Sequence, residues 1–295
     1  MTQNYQIISL FTGCGGLDLG FLGDFKFLNH YFPKLSFDLI YANDFDQAAC
    51  LTFEQNFHKP IVCADIEMLD LSKLPKADLV IGGFPCQDFS YAGNRKGLKT
   101  NRGRLYQKMV EAIKLVQPKV FLAENVKGLL TIEQGKIFQT MINDFEKLNY
   151  HVSYKLLKVS DFGVCQKRER IIIIGTQKKL LPKFNFNFLI KTKAQPVIKI
   201  IADLENLPEG AIKNHYWSKA KKNSGQGNLT IKHNDLAPTM RAEHHGNIEF
   251  HYNGRRRLSA REAARIQSFP DDFIFYPSTS SAYKQIGNAV PPVFA

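Results

Sequence analysis

Cys86 lies in Ala77-Asp-Leu-Val-Ile-Gly-Gly-Phe-Pro-Cys-Gln-Asp-Phe-Ser90, directly after an apolar run and a glycine-proline turn. Ala77 to Ile81 reads as a short buried strand, and Gly82, Gly83 and Pro85 stop it. The chain therefore turns at the carboxyl end of the strand, where open α/β sheets bind ligands and display nucleophiles. A lone cysteine is more often a small apolar filler, so its partners decide its role. Glu124, in Leu122-Ala-Glu-Asn-Val126, closes another apolar run and reaches the same edge if the two strands are neighbours. A partly buried carboxyl group there can keep its proton and donate to a ring nitrogen; the alternative is a capping or surface acid. Gln166-Lys-Arg-Glu-Arg170 precedes the strongest β-run in the chain. Alternation puts Arg168 and Arg170 on one face of that strand, where guanidinium forks grip a phosphate or a carbonyl oxygen, unless they only guard an edge strand with charge.

A second group of residues suits a nucleotide-like ligand. The first apolar run leads straight into Phe11-Thr-Gly-Cys-Gly-Gly16 and then a helix-like start at Leu17. Strand, glycine turn and helix let the backbone approach a ligand closely, although the spacing is not GxGxxG and a plain tight turn is the competing reading. Asp44 follows the second run and can hold two ribose hydroxyls; Asp65 follows the third. Acids at successive strand ends fit an adenosine ligand without a pyrophosphate better than a dinucleotide.

The elements that must position these residues are legible as short apolar runs, IISLF, LIYA, IVCA, DLVIGG, VFLAEN and RIIIIG, alternating with helix-like segments. Continuous rather than alternating apolar runs mean strands buried on both faces, hence a largely parallel sheet covered by helices. Asp46 to Phe57, Arg104 to Gln117 and Gly135 to Leu148 carry apolar residues at helical spacing. This pattern ends near Thr176. Residues 178–254 are rich in Lys, Asn, His and Gly and read as a small separate module with long loops. Regular structure returns at Leu258, where Ser259 can cap a helix with Glu262 in the capping-box position.

The chain has 295 residues, 44% hydrophobic and 22% charged, which argues against disorder. Thirty-nine Lys and Arg against twenty-seven Asp and Glu leave a formal charge of +12, suited to a polyanionic partner. Five cysteines, an odd count with no CxxC spacing, argue against a disulfide framework and a zinc site. No apolar stretch reaches the roughly 20 residues that span a bilayer, and the N-terminus lacks a signal-peptide pattern. A cytoplasmic protein with no membrane association and no metal is expected.

Taken in order, FTGCGG, GGFPCQDFS, ENV, QKRER, RLSAREAARIQSFPDDF and YKQIGNAVPP resemble the motif blocks of the DNA (cytosine-5) methyltransferases, especially those of bacterial type II restriction-modification systems. The resemblance covers nearly the whole chain; GGFPCQ with ENV is its specific part. It implies a Rossmann-like S-adenosylmethionine-dependent methyltransferase fold, α/β with a mostly parallel sheet and helices on both faces, plus a small target-recognition domain. Residues 1–177 would form the catalytic and cofactor-binding domain, 178–254 the target-recognition domain, and 255–295 the return to the catalytic domain. Members of the family usually continue past GNAVPP with a further helix, whereas this sequence stops at Ala295, as a truncated or split product would.

By the same resemblance, Cys86 attacks carbon 6 of cytosine, Glu124 bonds the ring nitrogen and exocyclic amine, Arg170 binds the base carbonyl, and Arg168 steadies the thiolate or a nearby phosphate. Phe11 stacks on the adenine of S-adenosylmethionine, Asp44 holds the ribose where the family commonly has Glu, and Asp65 with Ile66 borders the adenine. Gly13, Gly15 and Gly16 make room for the methionine end, with Leu105 and Asn288 nearby; Cys14, Phe45 and Pro85 complete the cofactor set. The target cytosine must leave the duplex to reach Cys86. The basic loop from Ser90 to Gly103, with Arg95, Lys96 and Arg102, is expected to close over it. Arg241, His244 and His245, together with His215, Tyr216 and Trp217, are the candidates for reading bases in the major groove. The implied partners are double-stranded DNA with a short specific site and a cognate restriction endonuclease, with the protein a monomer. A tRNA cytosine-5 methyltransferase, or a DNA-binding relative impaired in catalysis, is the alternative. A nicotinamide-dependent oxidoreductase rests only on the glycine loop and leaves GGFPCQ and ENV unexplained.

Overall fold

Each of the apolar runs becomes a strand of one sheet. The computed structural model describes residues 4–85, 104–222, 227–242 and 248–295. In chain order the elements are β1 (Tyr5–Leu10), α1 (Gly16–Leu22), β2 (Phe25–Phe27), β3 (His30–Phe32), β4 (Phe37–Asp44), α2 (Gln47–Phe57), β5 (Val62–Cys63) and β6 (Leu79–Gly82). They continue with α3 (Arg104–Val116), β7 (Val120–Val126), α4 (Lys136–Lys147), β8 (Tyr150–Lys158), β9 (Glu169–Gln177), α5 (Ile198–Ile201), α6 (Ala260–Ile266) and α7 (Thr279–Asn288).

The sheet has seven strands in the order β5-β4-β1-β6-β7-β9-β8. β5, β4, β1, β6 and β7 run parallel, while β9 is antiparallel to both β7 and β8. The mostly parallel expectation holds, with an antiparallel tail that the apolar runs do not reveal. β8 escapes a search for continuous apolar runs because, as an edge strand, it mixes exposed and buried residues. β2 and β3 form a separate small hairpin on which Phe25 and Phe32 stack with centroids 4.8 Å apart.

Alternation along β1 sends consecutive residues to opposite faces. Ile8 and Leu10 join Val80, Phe121, Met109 and Ile113 under α3 and α4; Ile7 joins Leu39, Ile81, Leu17 and Phe53 under α1 and α2. A third cluster unites the polar stretch with the end of the chain: Val197, Ile200, Ile201, Ile231 and Met240 pack on Leu258, Ala263, Ile266, Phe269 and Ile286. The predicted capping box is present, with Ser259 Oγ accepting from Glu262 N and the Glu262 carboxylate accepting from Ser259 N. Among the described residues, no helix is long and apolar enough to cross a membrane.

Strand order places the site. From β1 the chain moves outward to β4 and β5, then returns to β6 on the other side of β1 and proceeds to β7. The reversal opens a crevice at the carboxyl ends of β1 and β6, the usual ligand position in open sheets. The glycine loop follows β1; the turn toward Cys86 follows β6.

Candidate active site

One half of the crevice is the glycine loop and its acids. Phe11 leaves β1 with φ 54° and Gly13 and Gly15 have φ 58° and 90°. A positive φ at a phenylalanine is unusual, and such backbone is held where surrounding contacts fix it. Here Thr12 N donates to Asn43 O at 3.0 Å and Gly13 N to Asp44 Oδ2 at 2.7 Å. The other Asp44 oxygen accepts from Asp46 N at 2.9 Å. Burial raises the Asp44 carboxyl, and these backbone N–H groups partly offset the effect. A Cβ on Gly13 would meet nothing within 4 Å, whereas one on Gly15 would strike the Phe57 ring at 2.3 Å. Gly15 is thus needed for packing, while Gly13 faces open space.

Asn43 extends this edge sideways, its Nδ2 donating to Val62 O and Ala64 O at 2.8 and 2.9 Å, which fixes the chain just before Asp65. Asp65 itself is exposed and accepts from Glu67 N at 2.9 Å; Ile66 is buried behind it. Phe45 and Asn288 are exposed, and Phe11, Pro85 and Leu105 half-buried. Cys14 differs from the expectation at the side-chain level. Its thiol is buried in the apolar cluster with Phe269 and Ile286, and burial pushes it well above the usual thiol range, so only the Cys14 backbone can border the crevice.

The other half is built by β6, β7 and β9. Gly82 pairs with Leu10 on one side and Ala123 on the other, so the turn after β6 sits between the ends of β1 and β7. Glu124, next after Ala123, is 8% exposed, and a Cβ on Gly83 would lie 3.1 Å from its Oε2. Arg170 Nε lies 2.7 Å from Glu124 Oε1, both side chains buried. Burial lowers the Arg170 guanidinium and the Glu124 charge offsets the effect. Glu124 is therefore not a lone acid: the Arg170 guanidinium pairs with its Oε1, while its Oε2 lies toward Gly83. Asn125, which residue-type reasoning passed over, donates through Nδ2 to Phe84 O at 2.8 Å and accepts Val126 N on Oδ1 at 2.8 Å. It fixes the carbonyl two residues before Cys86. The only sequence signal for it is its place in ENV.

Arg168 and Arg170 keep different partners. Arg168 precedes β9, and its guanidinium donates to the carbonyls of Met240, Gly287 and Ala289 at 2.9, 3.0 and 3.1 Å. Both of its terminal nitrogens are committed to backbone. Among the groove-reading candidates, His215 is fully buried between Leu207 O and Ser259 Oγ, and Trp217 has the Lys219 ammonium and the Arg256 guanidinium within 4.7 and 4.5 Å of its ring centroid. The His215 ring is committed inside the fold, while Trp217 is half-buried beside the two cations. Tyr216 and Arg241 are exposed. Cys86, Ser90, Arg95, Lys96, Arg102, His244 and His245 lie outside the described residues, as does the loop expected to close. Among the described residues, no group of three or more His, Cys, Asp or Glu side chains could hold a metal ion.

The family profile of the C-5 cytosine-specific DNA methylases matches residues 5–243 and 214–295. Over 97% of its length the chain is 36% identical to the type II methyltransferase M.NgoFVII of Neisseria gonorrhoeae, covering 83% of that protein. It is 32% identical to M.BsuRI of Bacillus subtilis, with 100% of this chain and 78% of the relative covered. A prophage-encoded DNA modification methyltransferase from E. coli has the same fold, with a TM-score of 0.75 at 24% identity over 99% of this chain and 96% of that one. Spodoptera frugiperda DNMT2 superimposes with a TM-score of 0.72 at 16% identity, over 98% and 97% of the two chains. The chain belongs to the C-5 cytosine-specific DNA methylase family and is a DNA (cytosine-5-)-methyltransferase.

Proposed function

We propose that the protein methylates carbon 5 of a cytosine flipped out of a short specific site in duplex DNA, protecting that DNA from a cognate restriction endonuclease, and that it acts as a cytoplasmic monomer. The buried Glu124–Arg170 ion pair carries this reading, because it packs against the turn that leads to Cys86. A carboxylate beside a guanidinium offers a cytosine edge what it needs: an acceptor for the exocyclic amine and a donor for the carbonyl.

Cys86 attacks carbon 6 as a thiolate, forming a carbon–sulfur bond and pushing electron density to carbon 5. The Glu124 carboxyl, protonated when the base is bound, donates to the ring nitrogen as negative charge grows on the ring, its other oxygen accepts from the exocyclic amine, and Arg170 donates to the base carbonyl. Loss of the carbon 5 proton to a base and elimination of the thiolate complete the cycle. S-adenosylmethionine, when bound, supplies the methyl group. The crevice suits it: the Asp44 carboxylate matches two ribose hydroxyls, and the open space in front of Gly13 accepts ligand atoms. Phe11, Asp65, Ile66, Leu105 and Asn288 would border it. Residues 1–177 and 255–295 would carry the chemistry and 178–254 the sequence readout.

A tritiated-methyl transfer assay with duplex DNA and tRNA in parallel arms tests the substrate. Incorporation into duplex DNA alone is expected; preferential labelling of tRNA overturns the DNA reading. Bisulfite sequencing of a plasmid carried with the gene maps the site.

A further inference from the structure

Three buried polar side chains join the target-reading segment to the last turn of α7. Gln166 Oε1 accepts from Met240 N at 2.8 Å, and Gln166 Nε2 donates to Gln267 Oε1. Gln267 Nε2 in turn donates to Ile286 O and Ala289 O at 2.8 and 2.9 Å. Arg168 spans the same gap, its guanidinium reaching Met240 O on one side and Gly287 O and Ala289 O on the other. Gln166 and Gln267 are fully buried and Arg168 nearly so. The two backbones they join already touch: a Cβ on Gly287 would fall 2.1 Å from the Arg241 carbonyl carbon.

The chemistry of this junction is that of a helix end. The last carbonyls of a helix lack intrahelical donors and carry the negative end of its dipole. At the end of α7 those acceptors are met by a guanidinium and an amide from elsewhere in the chain. Among the described residues Arg168 contacts no carboxylate and its Nε has no hydrogen-bond partner, and burial lowers it to about 9. A guanidinium bound only to carbonyls is fixed by their geometry, so the positions of Met240 and of the turn at Gly287 to Ala289 are set together. Asn288 lies within that turn and Arg241 follows Met240.

We propose that Arg168, with Gln166 and Gln267, is a positioning residue that couples the cofactor contact at Asn288 to the DNA-reading segment at Met240–Arg241. The inference rests on the assignment of Asn288 and Arg241 to those two ligands. Engagement of DNA at Met240–Arg241 then sets the α7 turn, and cofactor affinity rises by the same factor as DNA affinity, since binding linkage is reciprocal.

The test is the dissociation constant of S-adenosylhomocysteine, measured calorimetrically with and without a duplex containing the mapped site. The wild type is expected to bind at least about fivefold tighter with DNA present. Arg168→Lys keeps the charge but loses the fork, and Gln267→Met removes the second connection at similar volume. Each is expected to bring the ratio close to one while both variants still bind the two ligands separately. Either folded variant retaining the wild-type ratio overturns the proposal, as does a wild-type ratio of one. A drop in kcat for Arg168→Lys with the ratio intact returns Arg168 to the thiolate. Failure of the wild type to bind S-adenosylhomocysteine at all defeats the cofactor assignment itself, and this proposal with it.

Discussion

Arg170 Nε stands 2.7 Å from Glu124 Oε1, a diagonal pair across antiparallel strands in which Arg170 opposes Val126 and Glu124 opposes Ile172. Neighbours on that diagonal are within reach of long side chains, so the sheet register itself brings the two charges together. Removing one partner leaves the other buried and uncompensated, at a cost of about 3–5 kcal/mol. Glu124→Ala is expected to lose both turnover and that much stability. Glu124→Gln, which keeps volume and one acceptor, is expected to lose turnover by about 10²-fold or more with a smaller stability loss. Thermal melts beside single-turnover rates check this; normal turnover in Glu124→Gln would remove Glu124 from the chemistry.

Cys86→Ala is expected to abolish methyl transfer and leave duplex binding within a few-fold of wild type. In the converse experiment, 5-fluorocytosine replaces the target base. Fluorine cannot leave as a cation, so a covalent complex resistant to denaturation should accumulate with the wild type and not with the variant. Active enzyme that forms no such complex contradicts attack at carbon 6.

Asn125 holds the Phe84 carbonyl ahead of Cys86 from a buried position. Asn125→Ala leaves that carbonyl without its partner, a loss of about 1–3 kcal/mol. Because the freed turn carries the nucleophile, kcat is expected to fall by about 10–10²-fold with the KM for S-adenosylmethionine unchanged. An equal rise in that KM would place Asn125 in cofactor binding instead.

What could be read before the structure follows from how local each cause is. Continuous apolar runs announced β1, β6 and β7, and glycine and proline at their ends located the crevice edge, because burial on both faces and chain reversal leave marks within a few residues. β8 left none, since an edge strand needs apolar residues on only part of its surface. Alternation put Arg168 beside Arg170 but could not show that its guanidinium is claimed by carbonyls 72 to 121 residues away in the chain. His215 looked like a reader because polar aromatics in a basic stretch suit DNA; a buried bond to Ser259 occupies it instead. Partners that are distant in sequence decided each of these cases.

The charge of +12 should appear as salt-dependent DNA affinity. Raising salt from about 50 to 200 mM is expected to weaken duplex binding by at least about tenfold. Arg241, exposed next to the segment at Met240, should lower the log–log slope by about one when replaced by Ala if it meets a phosphate. Fluorescence anisotropy over a salt series measures both. An unchanged slope in Arg241→Ala would exclude a phosphate contact there.

Asp18 offers the clearest pH signature. It lies in the first turn of α1 just past the glycine loop, is fully buried, and among the described residues neither carboxyl oxygen makes a well-formed hydrogen bond. Burial raises it from 3.8 to about 7, with Asp44 adding to the rise and the Ser9 side chain opposing it. Below about pH 4 the carboxyl is protonated whether the chain is folded or not. Between there and pH 7 the unfolded chain gives up this proton while the folded one keeps it, so stability falls as pH rises, by at most ~1.4 kcal/mol per unit. Asp18→Asn has no proton to lose. Its urea midpoint should match the wild type near pH 4 and exceed it at pH 8, by up to about 4 kcal/mol in unfolding free energy over the three-unit interval. Parallel curves for the two proteins across that range would show that Asp18 stays ionised in the fold, held by a partner other than those around it here.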